Sequence, residues 1–125
     1  MFIKYNANPV KNIVGDCVIR AISKAIDTDW ETVYLEIAVL GLNMYDMPTS
    51  NNVWETYLWH RGFRRFNIPD TCPDCYTVKE FCYDNPRGTF VLGTGSHAIA
   101  VIDGNYYDTW DSGDETPTYC FRKEY

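Results

Sequence analysis

The chain has no apolar stretch near the roughly 18 residues a membrane-crossing helix needs, no run of clustered lysine and arginine, no internal repeat and only two histidines. The first absence, with a start (MFIKYNANPVKNIVGDC) that lacks a long apolar run and a small-residue cleavage pattern, predicts a cytoplasmic protein with no membrane partner. The second excludes a nucleic-acid-binding face. Eleven basic against seventeen acidic residues leave a net charge of -6, and only Arg61, Arg64 and Arg65 gather, too few to displace counterions from phosphates. An odd number of cysteines, five, with no secretion signal reads as thiols, a nucleophile or metal ligands in place of a disulfide framework.

The composition does supply a core. With 125 residues, 46% of them hydrophobic, the chain suits one domain over residues 1–125. Residues 1–15 are punctuated by Asn6, Asn8, Pro9, Asn12 and Gly15 and read as an extended or looped arm. A helix then opens at Asp16, a good N-cap residue, with Val18, Ile22, Ala25 and Ile26 on one face and Cys17 in its first turn. A second helix follows a Thr28/Glu31 capping box and stops at Gly41; a third runs from about Asn52 to Arg61. FRRFNI reads as a short strand, and Thr77 with Glu80 caps a brief helix that Pro86 ends. TFVLGT, SHAIAVI, NYYDTW and TYCFRK, divided by Gly, Asp and Pro signals, then predict an antiparallel meander. Helices first and sheet second make an α+β fold.

Chemistry concentrates on three residues. A thiol in the first turn of a helix is biased toward thiolate by the unpaired N–H groups there; the adjacent Asp16 opposes that, so a positively charged partner would help. His97 is a polar ring at the start of the otherwise apolar SHAIAVI. If Asp103 and Gly104 form a two-residue hairpin turn, His97 faces Trp110 and Ile99 faces Asp108. His97 and Asp108 are then diagonal neighbours on one face, roughly 7 to 8 Å apart at the backbone, and the carboxylate can orient the imidazole. A three-residue turn would flip the parity and substitute Asp111. Taken singly, Cys17 has a bland alternative as a buried thiol, His97 as a satisfied core histidine and Asp108 as a turn carboxylate; their joint order and register favour a triad.

Gly15-Asp16-Cys17 opening a helix, Ser96-His97 opening a strand and Tyr107-Asp108 in the next resemble papain-like cysteine peptidases, especially the compact bacterial branch that includes bacteriocin leader-processing peptidases, and similar small phage proteins. The resemblance runs from about Asn12 to Asp111. It implies a papain-like fold with N-terminal helices packed on a C-terminal antiparallel sheet, and a cleft between them holding Cys17 as nucleophile, His97 as general base and Asp108 as orienter. It implies hydrolysis of a peptide or isopeptide bond in a peptide or protein substrate, with no cofactor. The family carries a Gln about six residues before the nucleophile to bind the oxyanion; here Lys11 stands there with Asn12 beside it, making Asn12 the oxyanion candidate. Trp110 is expected to line the cleft. The rival from a different class is a catalytically inactive module of the same fold that binds a peptide or a partner protein. A second rival is a zinc-stabilised interaction protein using Cys72, Cys75 and Cys82 with His60, but the spacing lacks the second C-x-x-C of a zinc ribbon, so no metal is assigned. Oligomeric state is not set by the sequence.

Overall fold

The computed structural model describes residues 1–124. Four helices, α1 (Cys17–Ala25), α2 (Trp30–Asn43), α3 (Asn51–His60) and α4 (Val78–Asp84), accompany six strands: β1 (Phe2–Lys4), β2 (Phe63–Asn67), β3 (Thr89–Gly93), β4 (Ala98–Ile102), β5 (Asn105–Asp108) and β6 (Tyr119–Lys123). The α+β class holds. The strands form one sheet in the order β1-β5-β4-β3-β6-β2.

Its central strands are buried on both faces, so alternation sorts their side chains into two cores. Val91, Ala98, Ala100, Tyr119 and Phe121 point to one side and pack with Ile22 of α1, Val33 and Ile37 of α2, and Val53 and Leu58 of α3. Phe90, Leu92, Ile99, Val101, Tyr106 and Cys120 point to the other and pack with Val78, Phe81 and Cys82 of α4.

Several elements differ from the sequence reading. The N-terminal arm contributes β1, which pairs in parallel with β5, Ile3 opposite Tyr107, so the sheet is mixed and only β3-β4-β5 is a simple meander. β6 turns back to sit between β3 and β2. Asp29, not Thr28, caps α2, its Oδ1 accepting from Thr32 N at 2.7 Å. Gly41 lies inside α2 and is there for space: a Cβ would sit 3.0 Å from the Asp46 carbonyl oxygen. Thr77 does cap α4, accepting from Glu80 N at 3.2 Å. Cys72 and Cys75, expected as thiols, form a disulfide, S–S 2.01 Å, while Cys17, Cys82 and Cys120 are free.

Two turns place the site. Asp103 and Gly104 both have positive φ, 49° and 78°, the signature of a type I′ hairpin, and Ala100 pairs with Tyr107 and Val101 with Tyr106. That is the two-residue register. At the opposite end, Thr94 N donates to the His97 carbonyl at 3.0 Å across a turn whose Gly95 has φ 97°, a conformation side chains rarely adopt. His97 is therefore the last turn residue before β4, at the end of a central strand. No helix among the described residues is long and apolar enough to cross a membrane.

Candidate active site

Cys17 is the first residue of α1, which packs against β4. A cavity of about 280 Å³ opens there, lined by Gly15 to Ile19 on the helix side and Gly95 to Ala98 on the sheet side. Thr49 just ahead of α3, Asn51 and Trp54 at its start, and Tyr119 of β6 complete its wall.

His97 Nε2 lies 2.6 Å from Asp108 Oδ2, which leaves Nδ1 as the ring atom for the Cys17 sulfur. The three residues singled out in the sequence thus meet across the groove between α1 and the sheet. Burial pushes the Cys17 thiol up, but the hydrogen bonds from His97 and the Ala98 N–H and the positive charges of His97 and Arg20 outweigh it and hold the thiol below its ordinary value. Burial lowers His97, yet its bonds to Asp108 first and Cys17 second carry it from 6.5 up to about 9. Burial raises Asp108, and the bonds from His97 and Ser112, the charge of His97 and the Thr109 N–H bring it below the carboxylate range. All three directions favour the charged forms: thiolate, imidazolium and carboxylate.

Asp108 is fully buried and saturated with donors. Its Oδ1 accepts from Arg20 Nη2 at 2.9 Å and Thr109 N at 2.8 Å; its Oδ2 takes His97 and Ser112 Oγ at 2.7 Å. Asp111 is engaged elsewhere, accepting from the Tyr106 hydroxyl at 2.5 Å and Gly113 N at 3.0 Å, so the alternative kept open in the sequence closes on Asp108. Trp110 covers the pair from outside, its ring 5.2 Å from that of His97 and tilted 32°, but it is not among the residues lining the cavity.

Arg20, Ser112 and Asn51 were not singled out in the sequence. Asp16 holds the N-cap position of α1 without capping: its Oδ1 takes Arg20 Nη1 at 2.5 Å and its Oδ2 takes Trp30 Nε1 at 2.9 Å. Asp16 and Arg20 are an i,i+4 pair, the one local signal that could have found this network. Asn12 is a correction of place: it is exposed, its backbone N–H is tied to Asn8 Oδ1, and it is not among the cavity residues. Asn51 is. Its Oδ1 accepts from Trp54 Nε1 at 3.2 Å, which fixes the amide's orientation, and Nδ2 donates to the Tyr119 hydroxyl at 3.0 Å. An amide nitrogen carries two hydrogens, so one remains beyond that bond.

The other candidate cluster disperses. Cys72 and Cys75 are bonded to each other, Cys82 is buried under the sheet, and His60 lies at the end of α3 in a separate groove with Glu36, Tyr57 and Arg61. No group of three or more His, Cys, Asp or Glu among the described residues is arranged to hold a metal ion. Comparisons of this chain with protein-family models, with curated proteins and with solved structures give no match.

Proposed function

We propose that this protein is a cysteine hydrolase of papain-like architecture that cleaves a peptide or isopeptide bond in a peptide or protein substrate. The observation that carries the proposal is the continuous chain Cys17, His97, Asp108, with its terminal carboxylate fully buried and its sulfur at the wall of an open cavity.

The Cys17 thiolate attacks the scissile carbonyl carbon and forms a tetrahedral oxyanion. Collapse breaks the carbon–nitrogen bond, and the His97 imidazolium gives its Nδ1 proton to the departing amine. The product is a thioester on Cys17. Water then adds to that carbonyl, losing a proton to His97, and the sulfur leaves as thiolate with the acid product. Asp108 accepts from Nε2–H throughout, fixing the tautomer that presents Nδ1 to sulfur and stabilising the imidazolium.

The oxyanion needs donors, and Lys11 occupies the position where the family resemblance implies glutamine. The backbone N–H of Cys17 at the α1 terminus supplies one. The second belongs to Asn51, whose amide is oriented by Trp54 and Tyr119 and lines the same cavity. Asn12 does not line the cavity.

The test is to incubate the protein with a diverse peptide mixture and map new termini by mass spectrometry. Cleavage that is absent with Cys17→Ala, and a thioester adduct at Cys17 trapped by acid quench, are expected. Retention of peptides without any cleavage would replace this reading by that of a binding module of the same fold.

A further inference from the structure

We infer that Arg20, through its charge, sets the pH window of the Cys17–His97 pair, neutralising Asp108 with Asp16 as its counterweight. The inference rests on the reading of Cys17 as an activated nucleophile and adds what keeps it activated.

Arg20 is 5% exposed, an unusual place for a guanidinium unless it is paired. It forks between two carboxylates on different elements: Nη1 to Asp16 Oδ1 on its own helix, and Nη2 to Asp108 Oδ1 on β5, 88 residues away. Trp30 from the start of α2 holds the second oxygen of Asp16. Arg20 thus ties the helix that carries the sulfur to the strand that carries the orienting carboxylate, in a span no backbone bond bridges.

The charge bookkeeping decides the direction of its effect. Facing the thiol and ring are Arg20 and the neighbouring Asp16 from α1, Asp108 from β5 and Tyr119 from β6, with the neutral Ser112 and Trp110 beside them. On the far side of Arg20 stands Tyr5, in turn covered by Lys24 and facing Asp27. Without Arg20, Asp16 and Asp108 both face the pair unneutralised. Protons then bind more tightly to both groups: the thiolate forms at higher pH, and the imidazolium also survives to higher pH. A guanidinium that only propped Asp108 in place would act differently, because an Asp108 drifting off Nε2 lets the imidazolium go at lower pH.

The experiment titrates Cys17 thiolate by absorbance at 240 nm and His97 by imidazole NMR in the wild type and in Arg20→Gln. Both midpoints should move alkaline in the variant, the first by about one pH unit, a tenfold change in its ionisation constant. Arg20→Lys keeps the charge and should recover at least half of that displacement. If Arg20→Gln fails to fold, Asp16→Asn/Arg20→Gln leaves no unpaired carboxylate at the start of α1, and its His97 midpoint should still rise. Unmoved midpoints, or a His97 midpoint that falls, overturn the inference while leaving the nucleophile reading intact. A wild-type Cys17 that titrates like an ordinary thiol near 8.5 overturns both.

Discussion

Replacing Asp108 by Asn removes one charge and little volume, so the outcome is governed by electrostatics and donor matching. In the native site each carboxylate oxygen accepts two donors: Arg20 and Thr109 on one, His97 and Ser112 on the other. An amide keeps one acceptor oxygen, and its NH2 must confront the donors of the other. Since the Arg20 guanidinium offers donors only, the oxygen should stay with Arg20 and Thr109, turning NH2 toward His97 and Ser112. His97 then loses the first of the two bonds that raise it from 6.5 to about 9, a displacement worth about 3 kcal/mol at 1.36 per pH unit, while burial still pushes it down. The sign follows. A group raised by folding stabilises the fold fully below its unfolded value near 6.5 and loses that contribution as pH rises through about 9. In Asp108→Asn the His97 contribution should largely vanish, and its NMR midpoint should fall by more than one pH unit. Stability should drop by about 3 to 5 kcal/mol, read from urea unfolding at pH 7, because Arg20 retains only Asp16 to balance it. With just two histidines in the chain, a His60→Gln background assigns the signal. A His97 midpoint unchanged in Asp108→Asn would refute the reasoning.

Asn51→Ala should slow peptide cleavage about 100- to 1000-fold while leaving the rate of Cys17 alkylation within twofold, since the role proposed for the amide is at the oxyanion and not at the sulfur; parallel loss of both would contradict that role. Gly93→Ala places a Cβ 2.1 Å from Cζ of Tyr119, so the ring must leave its wall of the cavity; a loss of about 1 to 3 kcal/mol in urea unfolding is expected, with weakened peptide cleavage. Leu58→Ala, fully buried between α3 and the sheet, should cost about 2 to 5 kcal/mol and leave the His97 midpoint alone, separating stability from site chemistry.

What could be read in the residues was what local physics determines. The central strands are short apolar runs between turn signals, and the Asp103-Gly104 dipeptide forces a register whose parity carries Asp108 to the face of His97. Cys17 was visible because Gly15 and Asp16 mark the helix start. Partners settled by tertiary approach were not. β1 is three residues long, below any periodic signal, and exists because β5 offers it an edge. Asn51 reaches the cavity only because α3 docks beside β6, 34 residues of chain beyond Cys17 carrying no local trace of it. Arg20 sits between Ile19 and Ala21 in a run read for its apolar members, and Ser112 lies in an acidic loop that resembles a solvated turn. The Asp16 side chain was assigned to the helix end, but two strong donors, Arg20 and the Trp30 indole, compete for it and win. Cys72 and Cys75 were read as thiols on the absence of a secretion signal, whereas the loop brings their sulfurs to bonding distance.

The most direct test of the nucleophile is alkylation by iodoacetamide at pH 6, with the modified cysteine located by mass spectrometry. An ordinary thiol near 8.5 is about 0.3% ionised there. The geometry around Cys17 predicts labelling confined to that residue, at a rate at least tenfold above a free cysteine peptide and lost in His97→Ala. Labelling of Cys17 no faster than the peptide, or unaffected by removal of the His97 ring, would contradict the account.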